Sequence, residues 1–287
     1  MSHVAVVTDS CASIPEELIS QLNIRTVAYY IHRGQDVLRD LITIQRDEFL
    51  RWLVTARCLP TTASPGPGDY FRVYKDLATA GLNRIISIHM TSKASGAYQA
   101  ATVAQTMMKE ELPDVKIEVI DTRNASLCQG WMVIEAARAA LAGLSLDQIT
   151  ACVKKMIPIT HMIQTADTLK YLYLGGRIGR AQQMAGSLLN IKPLIGMDDG
   201  IIVPLGRAHT RGQAYQQMAN MVAETVGKSR AKIAYVHAGA LHEVEKIKEL
   251  VEAKVNVAES FFAELSPALA VHTGPGTAGL CYYPLED

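Results

Sequence analysis

The sequence predicts an α/β N-terminal domain, with a mostly parallel sheet flanked by helices, followed by a C-terminal α+β domain. Three observations carry that expectation. Short apolar runs alternate with helical patterns through the first half of the chain, which implies parallel strands joined by crossover helices. After Pro158 the alternation gives way to a hairpin-like pair and a mixed order of elements. The 287 residues are 49% hydrophobic, enough for one large or two medium domains with substantial cores. The boundary is placed at 157/158, giving domains 1–157 and 158–287.

In order, His3–Val7 reads as a buried strand that ends at Thr8-Asp9-Ser10. Pro15, Glu16 and Glu17 suit the first turn of a helix, where proline lacks only an N–H that has no partner anyway and acids meet the positive dipole end. Ile24–Tyr30 is a second strand candidate, and Arg39–Leu53 includes a helix with Thr43 as its cap. Pro60–Gly68, rich in proline, threonine and glycine, is read as a loop. Asp69–Ala80 is helical, Arg84–Met90 is a strand, and a helix runs over Gly96–Glu110 with Ser95 as its N-cap. Lys116–Ile120 is a strand, and Ser126–Ala142 and Ser145–Met156 are helices. In the second half, His161–Ala166 is a strand, Leu169–Leu174 a short helix, and Gly175–Gly179 a glycine turn. Ala181–Asn190 is a helix. Ile191–Met197 and Gly200–Ala208 pair around Asp198-Asp199-Gly200, a strong hairpin signal. Thr210–Val226 and Leu241–Ala253 are helices, while Lys232–His237, Val255–Phe262 and Ala268–His272 are strands.

Charge narrows the function. Lys plus Arg and Asp plus Glu both number 28, so no net positive charge argues for nucleic acid. No apolar run approaches the roughly 20 residues of a membrane span, and the first residues carry no basic stretch and cleavage site of a signal peptide. The five cysteines are scattered, without CxxC or metal-ligand spacing. Reduced thiols in a cytoplasmic protein without a metal or other cofactor are the expectation. Cys11, in a turn, is the one thiol near candidate chemistry.

Three polar turns follow apolar segments: Thr61–Ser64, Thr91–Gly96 and His272–Thr277. The middle one stands where open α/β sheets place ligands, between a strand's carboxyl end and a helix N-terminus that favours an anion. Thr62, Ser64, Ser92 and Ser95 are candidate hydroxyl donors, and Gly96 lets a ligand approach the backbone. Such an uncharged cluster suits a carboxylate. A serine hydrolase is the rival reading, with Asp9, Asp121 and His272 as partners for Ser95, although Ser95-Gly96 is no G-x-S-x-G elbow. Gly175-Gly176-Arg177 is a candidate anion clamp, and Arg207, His209 and Arg211 form a small basic cluster. A regulatory or partner-binding protein is the third reading.

Six stretches also resemble the DegV family of fatty-acid-binding proteins, which includes the FakB subunits of bacterial fatty acid kinase. They are Thr8–Ser10, Pro60–Pro65, Thr91–Gln99, Leu172–Ile178, Leu189–Pro193 and His272–Gly276, in the family's order along essentially the whole chain. The resemblance implies a long-chain fatty acid in a buried tunnel, its carboxylate bound at Thr62, Ser95, Ser92, Gly96, His272 and Thr273. It also implies a carrier that is not itself catalytic. It would present the carboxylate to a separate fatty acid kinase that makes an acyl phosphate. Arg177, Arg207, His209 and nearby Arg211 would engage that partner. Ala63, Thr91, Ala97 and Cys11 depart from the usual pattern.

Overall fold

A computed structural model describes residues 4–184 and 191–285. The first half contains β1 (Val4–Asp9), α1 (Glu16–Gln21), β2 (Arg25–Val27), β3 (Tyr30–Arg33), β4 (Asp36–Arg39), α2 (Arg46–Thr55) and β5 (Thr61–Ala63). It continues with α3 (Pro67–Thr79), β6 (Arg84–His89), α4 (Ala97–Glu111), β7 (Lys116–Asp121), α5 (Ser126–Leu141) and α6 (Leu146–Met156). Four strands form a parallel sheet in the order β2-β1-β6-β7. Every residue of β1 and five of the six in β6 are buried, as expected of strands covered by helices on both faces.

The second half contains β8 (His161–Thr165), α7 (Lys170–Leu174), β9 (Lys192–Asp198), β10 (Ile201–Ala208), α8 (Arg211–Val226), β11 (Arg230–His237), α9 (Leu241–Glu252), β12 (Asn256–Glu264), α10 (Pro267–Thr273) and β13 (Ala278–Pro284). Its six-stranded sheet has the order β10-β9-β8-β13-β11-β12, antiparallel except for β11–β12. The α/β plus α+β expectation therefore holds. The β9–β10 hairpin turns at Asp199-Gly200, both left-handed, as the Asp-Gly signal demands.

Helix α5 joins the two halves. Twelve of its sixteen residues are buried. Trp131 at its centre is fully enclosed, donates its indole N–H to the Cys281 carbonyl at 3.1 Å, and packs on Phe261 and Tyr283. Two turns on, Arg138 forks onto Glu259 at 2.8 and 2.6 Å, while Lys232 reaches back to Glu135 at 2.8 Å. A bidentate arginine in a network is the kind of ion pair that contributes to stability, unlike an isolated exposed one. Residues of the parallel sheet share one core with Met162, Ala234, Val236 and Cys281 of the other sheet.

Several predicted elements differ. Ile24–Tyr30 is not one strand: β2 ends at Val27, and β3 begins at Tyr30 in a different sheet, the small antiparallel β4-β3-β5. The Pro60–Gly68 stretch is not all loop, because Thr61–Ala63 pairs with β3. Arg39 belongs to β4, and α2 starts at Arg46 behind Gln45. Thr43 instead accepts the Arg39 N–H at 2.7 Å in the intervening turn. Ala268–His272 lies in helix α10, not a strand, opened by Pro267 behind Ser266, whose hydroxyl accepts the Leu269 N–H. Gly96 rather than Ser95 holds the N-cap position of α4, but the Ser95 hydroxyl still accepts the Ala97 N–H at 3.2 Å. Of predicted helix Ala181–Asn190, the first four residues belong to a 3₁₀ turn and 185–190 lie outside the described residues, as do two residues of the Leu189–Pro193 stretch.

Candidate functional site

The polar turns of the sequence converge on one cavity of about 410 Å³. Its wall is built by Lys93–Gly96 at the carboxyl end of β6, Ala125 and Ser126 at the start of α5, Thr62 and Ser64 on and after β5, and Met162 and Gln164 on β8. Leu269, His272 and Thr273 of α10 close it from the second half. The site thus lies at the carboxyl edge of the parallel sheet, as the strand–turn–helix pattern predicts.

Two hydroxyl pairs define its polar end. Ser95 Oγ lies 2.5 Å from the Tyr29 phenol oxygen and also accepts the Ala97 N–H. Thr62 Oγ1 lies 2.8 Å from His272 Nε2, so a residue of β5 meets one 210 positions later. Glycine makes that second contact feasible. Any side chain at Gly175 would collide with the His272 ring, and that ring's Nδ1 is buried without a partner among the described residues. The Thr273 hydroxyl is likewise buried and unpartnered. Arg177, at the end of the glycine turn, donates from Nη1 to the Gly175 carbonyl at 2.7 Å and from Nε to the Ala94 carbonyl at 3.4 Å. It therefore fastens the second half's turn to the Ser95 turn. Thr91 does the same from the other side by donating to the Gly200 carbonyl at 3.0 Å. Gly200 is left-handed, and a side chain there would strike the Thr91 hydroxyl.

The polar groups are neutral. Burial pushes the Tyr29 phenol well above its ordinary value, so it keeps its proton. Burial first, and the Arg177 charge second, bring His272 down to about 4. At neutral pH the imidazole is uncharged, and its Nε2 faces a hydroxyl rather than a carboxylate. Arg177 is exposed at the cavity wall and supplies positive potential together with the N-terminus of α4, while Lys93 is paired with Asp199 at 2.6 Å.

Most predicted carboxylate residues come together: Thr62, Ser95, Gly96, His272 and Thr273 all line the cavity. Ser92 does not. It is exposed outside the wall, its backbone N–H turned to Asp121. Arg177 lines the cavity, while Arg207 and His209 are exposed at the end of β10 and beyond it. Arg211 is tied down, donating to Asp167 at 2.8 Å, to the Gly276 carbonyl at 3.0 Å and to Tyr215 at 3.1 Å. The hydrolase constellation is not assembled. Ser95 meets Tyr29 instead of an imidazole, Asp9 pairs with fully buried His89 at 2.9 Å, and Asp121 accepts backbone N–H groups of Ser92 and Arg123. Sequence reasoning missed Tyr29, Gln164 and Ser126. Tyr29 sat inside an apolar run that read as one strand, and its position between β2 and β3 is what frees its ring to reach Ser95. Cys11 lines the cavity too, its thiol pushed well up by burial and then by Asp9 and Asp40.

Among the described residues, no group of three or more His, Cys, Asp or Glu could hold a metal ion, and no helix is long and apolar enough to cross a membrane. A family model described as "Uncharacterised protein, DegV family" matches residues 3–285. A DegV domain-containing protein of Caldanaerobacter subterraneus is 30% identical over 283 residues, covering 98% of this chain and 99% of the relative. Among solved structures, a DegV family protein from Thermus thermophilus, described by its fatty acid binding, superposes with a TM-score of 0.92 at 31% identity, covering 99% of this chain and 100% of that one. DegV of Bacillus subtilis, described as a fatty acid binding protein, gives 0.87 at 28% identity with the same coverage.

Proposed function

The chain belongs to the DegV family, and on that premise we propose that it binds one long-chain fatty acid in the cavity between its halves, with the carboxylate at Ser95 and Thr62. The observation that carries the reading is the pairing of those two hydroxyls with buried neutral partners. Ser95 Oγ already accepts one hydrogen bond, from the Ala97 N–H. With Tyr29 donating the second, the Ser95 O–H is left to point at the ligand. With His272 donating from Nε2, Thr62 is freed in the same way. Two outward O–H donors, the α4 N-terminus and the Arg177 potential then hold a carboxylate that burial alone would penalise by several kcal/mol. The tail supplies affinity. At about 0.8 kcal/mol per buried CH₂, a long chain gains on the order of 10 kcal/mol before the costs of association are subtracted.

In this reading residues 1–157 carry the head-group site and 158–287 complete the tunnel. The protein is a cytoplasmic carrier without cofactor or catalytic step, and a separate fatty acid kinase phosphorylates the presented carboxylate. Exposed Arg177, Arg207 and His209 supply the surface for that partner, with Arg211 holding the turn beneath it. Displacement titration of a fluorescent fatty acid tests the head-group assignment. Ser95→Ala and Thr62→Val each remove a donor to a charged group, about 1.5–3 kcal/mol, so affinity is expected to fall by about 10- to 100-fold. Unchanged affinity in both variants rejects it. For the partner, Arg207→Ala is expected to keep fatty acid affinity while abolishing acyl phosphate formation with purified kinase and ATP. Full phosphorylation of the variant's cargo rejects that surface.

A further inference from the structure

Two polar side chains on the cavity wall have no part in the carboxylate site. Gln164 lies on β8 two residues after Met162, so both project from the same face of the strand into the cavity. It is 3% exposed, and its amide hydrogen-bonds to no described residue. Ser126 faces the cavity from the opposite half, at the first position of α5. It is 2% exposed, and its hydroxyl is buried without a partner among the described residues. Its φ of 55° is left-handed, an uncommon conformation for serine. Ala125 before it offers no side-chain cap to the helix.

Buried amides and hydroxyls in folded proteins nearly always have hydrogen-bond partners. Away from the polar end, Met90, Met162, Met197, Leu172 and Leu269 line the same cavity. A plain alkyl tail laid against Gln164 and Ser126 would shut off water and offer nothing in exchange. A tail carrying a hydroxyl would offer them a partner, donating to the Gln164 carbonyl oxygen or accepting from its NH₂ or from Ser126.

We propose that the cavity recognises a long-chain fatty acid bearing a hydroxyl along its chain, held by Gln164 and Ser126 at a second polar position distinct from the carboxylate site. This rests on the fatty-acid reading above and names the ligand class within it. A site built to bond a substrate hydroxyl discriminates against the analogue that lacks it, because its own polar groups are then left unpaired.

Binding of octadecanoic acid and of a series of octadecanoic acids hydroxylated at successive chain positions is measured on the lipid-stripped wild type and on Gln164→Leu. Gln164→Met serves as the second variant, and a thermal melt on each confirms folding. The wild type is expected to bind at least one hydroxylated acid about tenfold tighter than the parent, equivalent to about 1.4 kcal/mol. In both variants that preference disappears, and the plain acid binds several-fold tighter than to the wild type. A wild type without preference, as a trapped water on Gln164 and Ser126 would produce, overturns the proposal. So does a preference that survives both substitutions. If no acid binds at all, the fatty-acid reading itself fails.

Discussion

At the scale of single residues, the candidate site depends on groups kept neutral by burial. His272 makes that testable. Its imidazole is held at about 4, against 6.5 for an unperturbed histidine. Between those values the unfolded chain holds more protons than the folded one, so stability rises with pH across the window and levels off above about 6.5. From pH 7 to pH 5 the wild type therefore loses about 2 kcal/mol through this side chain. His272→Gln keeps a hydrogen-bonding group toward Thr62 and removes the titration. Its unfolding free energy is expected to be flatter than the wild type's over that interval by about this amount, measured by urea unfolding at both pH values. Equal slopes would contradict the burial argument.

At the scale of elements, the site is held together by α10, and α10 is held by Asp40. This carboxylate accepts the Ala268 N–H at 3.2 Å in the helix's first turn. Burial raises it from 3.8 to about 6, opposed by the Ser10 hydroxyl, the Ala268 N–H, the Ser266 hydroxyl and the Arg46 charge. Here the folded chain holds more protons between about 3.8 and 6, so stability falls as pH rises through that window, opposite in sign to His272. Asp40→Asn is expected to gain about 1.4 kcal/mol on the wild type when pH 7 is compared with pH 5, read from paired unfolding curves. No change in the pH 7 to pH 5 difference would reject it. The same element marks the limit of sequence reading. Ala268–His272 is a short apolar run, and such a run fits a buried helix turn as well as a strand. Only Ser266-Pro267, a cap followed by proline, separates the two. The Ile24–Tyr30 run failed for a related reason: its apolar residues continue across a change of sheet, which local pattern does not register. Where turn chemistry was strong, at Asp199-Gly200 and Ser145, boundaries came out to within a residue or two.

At the scale of the whole molecule, the cavity exists only because two halves are pinned together. Trp131 and the Arg138–Glu259–Lys232 network fix α5 between the sheets, while Thr91, Arg177 and the Thr62–His272 pair close the rim. The residues of the polar end were legible as separate hydroxyl-bearing turns, and the family resemblance grouped them. Their partners were not legible. Tyr29 and Ser95 are 66 positions apart, Thr62 and His272 are 210, and nothing local in the chain encodes either contact. Native mass spectrometry of the protein purified without added lipid tests the central claim most directly. The account predicts a mass excess of one long-chain fatty acid that is lost on denaturation, and uptake of one equivalent of oleate or palmitate after lipid stripping. A protein that carries no fatty acid and takes up neither would contradict it.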